Sequence, residues 1–250
     1  MNILNMDKSR FGVNHGWDFR EYSYPQTIVV HTTNGRVGTG FGSEANFLYT
    51  TDDVSAHFLV GKDGQIVKFL DPLKHRAWHA GAVITQRWNN NNSIGIECHY
   101  TPGEGIWPSA MRDSLTELVK YLMAQFHITL PANIETHRYI AIPKGRKVDP
   151  SGFPDAEFYV WRSRLFEPDM THYRVISPEV NVRMSPKRTN DNIAGTLYAG
   201  DEFYSAAIKM DENGEYISGK NTWAHVTKGF SRGKPVDGLG FVHTSVLQIV

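Results

Sequence analysis

The alternation of hydrophobic and polar residues along the chain changes character near residue 168. Before that point, short apolar runs alternate with longer stretches in which apolar residues recur every three or four positions, which is typical of an α/β domain. After it, short strand-like runs follow one another closely, separated by turn-forming pairs such as Asn213-Gly214, which predicts a small all-β barrel. We therefore predict two domains, residues 1–168 and residues 169–250.

Several apolar runs of the first domain have the length and composition of β-strands. Residues 27–31 form a β-branched run bounded by Pro25, and residues 93–98 form a second apolar run. Residues 57–60 and 66–69 lie on either side of the pair Asp63-Gly64, and this arrangement predicts a β-hairpin. These runs supply the strands of the α/β domain.

Three stretches of the same domain are predicted as helices. Residues 109–126 follow Pro108, which is suited to a helix start, and carry apolar side chains at helical spacing. Shorter helices are predicted over residues 41–49 and about 155–165. Because the apolar face of the longest helix must pack on the sheet, its apolar side chains are assigned to the core. They are Met111, Leu115, Leu118, Val119, Leu122, Met123 and Phe126.

Composition and charge narrow the range of partners. The chain has 26 basic and 26 acidic side chains, so no electrostatic surface for nucleic acid or an anionic membrane is expected. No stretch is long and apolar enough to predict membrane insertion. The first residues lack the apolar core of a signal peptide, which predicts synthesis in the cytoplasm. Cys98 is the single cysteine, which excludes an intrachain disulfide, and its apolar neighbours favour a buried position.

Two histidines and an aspartate offer the donor atoms of a metal site. His31 ends the first apolar run, His137 follows Thr136, and Asp149 precedes Pro150. Catalytic zinc is often held by two imidazoles and one carboxylate, with a fourth position left for water. Taken singly, a histidine at a strand end is more often structural, and an aspartate before proline could equally be a turn residue.

Glu97 and Lys147 strengthen the metal hypothesis. Glu97, like His31, ends an apolar strand, where a sheet presents side chains to a cleft. Lys147 and Asp149 are two residues apart, so in an extended segment they point to the same side. One of them can then bind a metal while the other contacts the substrate, and a lysine beside a metal can stabilise a developing oxyanion. The hypothesis requires all five residues to converge.

Seven ordered segments between residues 20 and 165 resemble the zinc-dependent N-acetylmuramoyl-L-alanine amidases, a superfamily that includes the peptidoglycan recognition proteins and the phage lysozyme-type amidases. The segments are Ile28-Val29-Val30-His31-Thr32-Thr33, Val54-Ser55-Ala56-His57-Phe58-Leu59-Val60, Lys62-Asp63-Gly64-Gln65-Ile66, Ala77-Trp78-His79-Ala80-Gly81, Asn92-Ser93-Ile94-Gly95-Ile96-Glu97, Thr136-His137 and Lys147-Val148-Asp149-Pro150. The resemblance implies that zinc is bound by His31, His137 and Asp149. It also implies that Glu97 and Lys147 are the catalytic partners.

Two positions indicate which branch of this superfamily the chain resembles. Members of the phage lysozyme type are expected to have cysteine as the third ligand and tyrosine before the His-Phe pair of the hairpin. Here those positions hold Asp149 and Ala56. The chain therefore resembles the branch that uses aspartate as ligand and glutamate as base, and Ala56 argues against a tyrosine-dependent mechanism.

The resemblance also implies a reaction and a substrate. Zinc would activate water to hydrolyse the amide bond between N-acetylmuramic acid and L-alanine in bacterial peptidoglycan. Glu97 would take the water proton and later deliver it to the leaving amine, while Lys147 holds the oxyanion.

Four other residues of the matching segments have predicted roles. Trp78 and His79 are expected to line the substrate groove, although a structural role for Trp78 stays open. Asn92 is a candidate for binding peptide or sugar, and the alternative is a polar turn over residues 89–92. His57 is predicted to pack beside the site, because a fourth histidine ligand would fill the position left for water.

Four ordered segments of the second domain carry a further resemblance. They are Val180-Asn181-Val182-Arg183-Met184-Ser185-Pro186, Gly200-Asp201-Glu202-Phe203, Thr222-Trp223-Ala224-His225-Val226 and Gly240-Phe241-Val242-His243-Thr244-Ser245-Val246-Leu247. With them, residues from about 172 to 250 resemble a bacterial SH3-type cell-wall-binding domain. The resemblance implies a small β-barrel that binds peptidoglycan peptides. The full fold prediction is an α/β domain with a mixed central sheet flanked by helices, followed by a small all-β SH3-like barrel.

The combined prediction is a modular peptidoglycan hydrolase of the N-acetylmuramoyl-L-alanine amidase class. One alternative is a non-catalytic peptidoglycan-recognition protein on the same scaffold, but such relatives typically lose a zinc ligand and the whole set is present here. Another alternative is an amidase that recycles soluble muropeptides. The wall-binding module and the missing signal peptide favour a phage or prophage endolysin, which acts on the cell wall after release through holin pores.

Overall fold

A computed structural model of the protein describes residues 2–12, 15–20, 24–35, 38–167, 170–206, 208–218, 220, 222–232 and 234–250. The chain divides into two units, Met1–Glu167 and Pro168–Val250. Among the described helices, none combines the length and apolar composition that crossing a membrane requires.

The first unit is built on a β-sheet with helices on its faces. Its strands are β1 (Ile3–Asn5), β2 (Trp17–Phe19), β3 (Thr27–Thr32), β4 (Phe58–Val60), β5 (Ile66–Lys68), β6 (His75–Ala77), β7 (Ser93–Cys98) and β8 (Ile134–Thr136). Its helices are α1 (Phe41–Thr50), α2 (Ser109–Phe126), α3 (His137–Ile140) and α4 (Asp155–Arg164).

The central sheet of this unit is mixed. Across the described residues its strand order is β1-β5-β4-β7-β3-β8, and β2 and β6 form a separate antiparallel pair. Strands β4 and β5 are the antiparallel hairpin, whereas the other neighbours in the central sheet run parallel. The predicted α/β domain with a mixed sheet is confirmed. The sequence pattern did not predict β1, β2, β6, β8 or α3.

The two faces of the central sheet pack against different helices. Ile28 and Val30 of β3 belong to a core cluster with the buried face of α2, as its helical spacing predicts. Leu59 of β4 packs instead with Leu48 of α1. Val29, between Ile28 and Val30, joins a third cluster, because successive side chains of a strand point to opposite faces. Each fully buried aliphatic side chain contributes roughly 1.5–3 kcal/mol to folding.

The second unit is all-β, as predicted. Its strands are β9 (Thr171–Val175), β10 (Glu179–Arg183), β11 (Ile193–Tyr198), β12 (Glu202–Ser205), β13 (Ile208–Met210), β14 (Thr222–Val226), β15 (Lys228–Ser231), β16 (Lys234–Pro235), β17 (Gly240–His243) and β18 (Leu247–Ile249). The described strands form two antiparallel sheets, β11-β10-β17-β14-β13 and β16-β15-β12-β9-β18. Val182, Leu197, Phe203 and Val242 are fully buried in its core. This architecture is compatible with the predicted barrel.

Candidate metal centre

His31 and Glu97 lie side by side at the carboxyl ends of two parallel strands. Strands β3 and β7 pair in parallel register, with His31 opposite Glu97. Since Ile28 and Val30 face the core under α2, the alternation of β3 turns His31 to the other face. The cleft therefore forms on the face away from α2.

His137 reaches the same cleft from the next strand. Strand β8 pairs in parallel with β3, and the chain turns directly from β8 into the short helix α3, which begins at His137. The Thr136 hydroxyl accepts a hydrogen bond from the Tyr139 amide at 3.3 Å and so caps this helix. The cap fixes the direction in which the His137 side chain leaves the backbone.

Asp149 is fastened to the helix that carries His137. The Arg138 amide donates to the Asp149 carbonyl at 2.8 Å. The Arg138 guanidinium donates to the carbonyls of Pro150 and Phe153, which follow Asp149 in the sequence. Arg138 thus holds the loop that carries Asp149 against the helix that begins at His137. Sequence reasoning did not single it out, although it directly follows His137.

The donor atoms of His31, His137 and Asp149 converge. The two Nδ1 atoms are 3.0 Å apart, and Asp149 Oδ2 lies 3.2 Å from that of His31 and 3.0 Å from that of His137. All three residues are buried. Tetrahedral zinc with bonds of about 2.0–2.1 Å separates its ligand atoms by roughly 3.3 Å. This buried group could bind a metal ion, and its donor set and spacing suit zinc.

Both histidines of the group make a second hydrogen bond on the side away from the donor atoms. His31 Nε2 lies 3.0 Å from His79 Nδ1, and His137 Nε2 lies 3.2 Å from the Ala80 carbonyl. His79 was predicted to line the substrate groove, and that role stays a prediction. Its side chain borders the cavity, as the prediction requires, while one ring nitrogen faces His31 and the other lies 3.1 Å from Ser93 Oγ.

The asparagine that supports the site is Asn90, and Asn92 is not part of the cavity. Asn90 Oδ1 accepts hydrogen bonds from the backbone amides of His79 and Ala80 at 3.1 and 2.8 Å. Asn92 precedes β7, at the opposite end of the strand from Glu97, and its side-chain amide donates to the Gln86 carbonyl at 2.9 Å. These contacts match the alternative, a polar turn, and the binding of substrate by Asn92 stays a prediction.

One cavity brings the remaining predicted residues together. Glu97, Lys147 and Trp78 border it with the three donor residues. Lys147 is exposed, and half-buried Trp78 donates its indole N–H to Asp18 Oδ2 at 2.9 Å. Thr33 also borders the cavity, and its hydroxyl and Glu97 Oε2 are buried without a hydrogen-bond partner in the described part of the chain.

His57 packs beside the site, as predicted. It is fully buried, and its Nδ1 accepts a hydrogen bond from the Gly95 amide at 3.0 Å. Its Nε2 lies 3.1 Å from the His75 carbonyl. His57 is absent from the group of convergent donors.

Burial governs the electrostatics of the site. Burial and the nearby carboxylates of Asp149 and Glu44 raise the pKa of Glu97 well above its ordinary value, although Lys147 acts in the opposite direction. Burial lowers the pKa of His31 to about 4, with a further contribution from His137. Burial alone would raise the pKa of Asp149, but the close approach of the His137 and His31 rings outweighs it and lowers that pKa.

Comparison with known proteins agrees with this geometry. A sequence model of the family described as N-acetylmuramoyl-L-alanine amidase matches residues 21–152, which is more than half of the chain. The 1,6-anhydro-N-acetylmuramyl-L-alanine amidase AmpD of Salmonella typhimurium (strain SL1344) is 36% identical over 143 residues, covering 50% of this chain and 74% of AmpD.

Two solved structures extend the similarity to the fold. A crystal structure of an AmpD derivative aligns with a TM-score of 0.51 and 28% identity, covering 64% of this chain and 93% of that one. The catalytic domain of XlyA aligns with a TM-score of 0.50 and 27% identity, covering 67% of this chain and 100% of that one. The chain belongs to the N-acetylmuramoyl-L-alanine amidase family and is an enzyme of that class.

Proposed function

We propose that this enzyme uses zinc to hydrolyse the amide bond between N-acetylmuramic acid and L-alanine in bacterial peptidoglycan. The observation that carries the proposal is the buried group of His31, His137 and Asp149 in one cavity with Glu97 and Lys147. Zinc in this group would polarise the scissile carbonyl and lower the pKa of a bound water. Three protein ligands leave the fourth position that such chemistry needs.

Glu97 is the proposed proton acceptor. Its Oε2 has no hydrogen-bond partner among the described residues, so the carboxylate is available to a water in the cavity. Burial raises the pKa of Glu97 toward neutral pH, and a general base is most effective when its pKa lies near the pH at which the enzyme works. The same carboxyl group can then return the proton to the leaving amine.

Lys147 is the proposed partner of the oxyanion. It lies two residues before Asp149 and borders the cavity. Its side chain is exposed, so its ammonium group is free to reach a bound substrate. A positive charge at this place stabilises the tetrahedral oxyanion more than the planar amide, which lowers the barrier to reaction.

We further propose that the second unit is an SH3-type module that holds the enzyme on the bacterial cell wall, as in a phage or prophage endolysin. Its all-β composition and the segments that resemble wall-binding domains support this. Removal of the residues after Glu167 should lower binding to insoluble peptidoglycan while sparing hydrolysis of soluble fragments. Equal sedimentation of the truncated and full-length proteins with the wall would contradict the proposed role.

A second candidate function is the cleavage of soluble muropeptides. The similarity to AmpD favours it, because the name of that relative specifies a 1,6-anhydro-N-acetylmuramyl substrate. The two candidates share one bond and one site. They differ in the size and solubility of the substrate that is hydrolysed faster.

Incubation with purified cell wall tests the proposal. The enzyme is compared with and without a chelator and after zinc is restored, and the new end groups are identified. New lactyl carboxylates with matching L-alanine amines are expected only with zinc. New reducing sugars alone would identify a glycosidase instead. A parallel assay on a soluble anhydromuropeptide decides between wall degradation and recycling.

A further inference from the structure

We infer that His79 is a positioning residue that sets the proton on His31, so that the Nδ1 atom of His31 is free to bind the metal. The inference rests on the proposed zinc function. It gives His79 a role in orienting the metal ligand His31, beside its predicted place in the substrate groove.

The contacts of His79 determine the direction of three hydrogen bonds. If His31 binds a metal through Nδ1, its proton must sit on Nε2, which then donates to His79 Nδ1 at 3.0 Å. His79 must therefore carry its own proton on Nε2, which donates to Ser93 Oγ at 3.1 Å. The Ser93 hydroxyl in turn donates to the Asn89 carbonyl at 2.7 Å. Because a carbonyl only accepts, the chain of bonds runs in one direction.

The surroundings of His79 are shaped to keep its ring in place. A Cβ atom at Gly95 would lie 2.5 Å from His79 Cγ, so only glycine leaves room for the ring on strand β7. Asn90 accepts a hydrogen bond from the His79 backbone amide. The ring thus packs on strand β7 with both nitrogens occupied, and the turn holds its backbone.

Ala80, the residue after His79, supplies a hydrogen-bond acceptor to the second predicted ligand, His137. Asn90 also accepts from the Ala80 amide, and the Ala80 carbonyl lies 3.2 Å from His137 Nε2. The two-residue segment His79-Ala80 therefore supplies an acceptor to each metal histidine. Such outer hydrogen bonds fix the tautomer and orientation of a ligand, and their loss typically weakens metal binding about 10–100-fold.

Three variants of the full-length protein test the inference. His79→Phe fills the ring space but cannot accept a hydrogen bond. His79→Asn places an amide oxygen near the position of Nδ1 and so keeps the acceptor. His57→Phe is the matched control, since His57 is another fully buried histidine but bonds Gly95 and His75. The readouts are the zinc Kd from chelator competition and the thermal unfolding of the metal-free protein.

The expected result is a zinc Kd about 10–100-fold higher in His79→Phe, with His79→Asn within about fivefold of wild type. His57→Phe should lower the unfolding temperature without changing the zinc Kd. An unchanged Kd in His79→Phe, beside tight wild-type binding, would overturn the inference and leave the proposed function intact. An equal loss in His57→Phe would also overturn it, because general disturbance of the core would then explain both. Failure of the wild type to bind zinc would instead refute the proposed function.

A measurement on the wild type does not depend on the folding of any variant. Long-range ¹H–¹⁵N correlation spectra of the zinc-loaded protein report which ring nitrogen of each histidine carries the proton. We expect protonated Nε2 in both His31 and His79. A proton on Nδ1 of His79 would contradict the direction of the hydrogen bonds.

Discussion

Replacing Glu97 with glutamine separates its proposed role in proton transfer from its position in the fold. Glutamine has nearly the same size, but it cannot accept the proton of an attacking water. Because general base catalysis typically contributes 10²–10⁴-fold, kcat should fall by about that factor. The zinc Kd should change little, since Glu97 is not among the three convergent donors.

The same substitution should stabilise the metal-free protein above the ordinary pKa of glutamate. Burial raises the pKa of Glu97 well above 4.5. Between pH 4.5 and this raised pKa, the folded protein therefore keeps a proton that the unfolded chain has released. The free energy of unfolding then falls by about 1.4 kcal/mol per pH unit across this interval. Below pH 4.5 both states are protonated and nothing is lost. Glutamine does not titrate and removes this pH-dependent loss.

Activity and stability are measured on the same preparations. Release of L-alanine amines from purified cell wall gives the rate, and urea unfolding of the metal-free protein between pH 4.5 and pH 8 gives the stability. The decisive observation is how the difference in unfolding free energy between wild type and Glu97→Gln changes with pH, because a packing effect of the amide would not depend on pH. Glu104→Gln is the control: Glu104 pairs with Lys62 at 2.7 Å, which lowers its pKa against the opposing effect of burial. It should keep full activity and lose a little stability at neutral pH.

Two results would refute the reasoning. Glu97→Gln activity within tenfold of wild type would exclude Glu97 as the general base. A stability difference between wild type and Glu97→Gln that stays constant from pH 4.5 to pH 8 would show that the carboxyl group does not titrate as its buried position requires.

Three further predictions address the rest of the site. Lys147→Met should lower kcat by about 10²–10³-fold with a smaller change in KM, because the oxyanion exists only in the transition state; an effect confined to KM would contradict this. Asp149→Asn should weaken zinc binding and abolish amide hydrolysis, and activity that persists in Asp149→Asn after chelation would exclude this metal site. Asn90→Ala leaves the amides of His79 and Ala80 without their acceptor, so it should lower stability by about 1–3 kcal/mol and weaken zinc binding. Asn92→Ala is its matched control and should leave zinc binding unchanged in the same titration.

The elements with strong patterns could be predicted from the sequence. Strand β7 and helix α2 occupy the predicted ranges, because a six-residue apolar run has the length of a buried strand and a long amphipathic period requires a helix. His31 and Glu97 were predicted at strand ends, and the parallel register of β3 and β7 places them together. Strand β6 and helix α3 were missed, since three or four residues are too few to show a period.

The contacts of loop residues could not be predicted from the sequence. The turn at residues 89–92 contains four asparagines, and only its folded conformation decides that Asn90 faces the His79 backbone. The orientation of the His79 ring likewise depends on the space over Gly95, which lies in a different element. A sequence motif shows that His79, Asn90 and Gly95 occur in the same chain. It does not show which nitrogen of the His79 ring faces which neighbour.

The candidate metal centre is assembled from distant segments but aligned by local contacts. His31 and His137 come from neighbouring parallel strands, and Arg138 ties the loop of Asp149 to the helix of His137. The segment His79-Ala80 then occupies the far nitrogens of both histidines. Each donor atom is therefore directed into the cavity by contacts within the protein. Since such preorganisation lowers the cost of ordering the ligands when a metal binds, removal of zinc should abolish catalysis while the fold of the first unit persists.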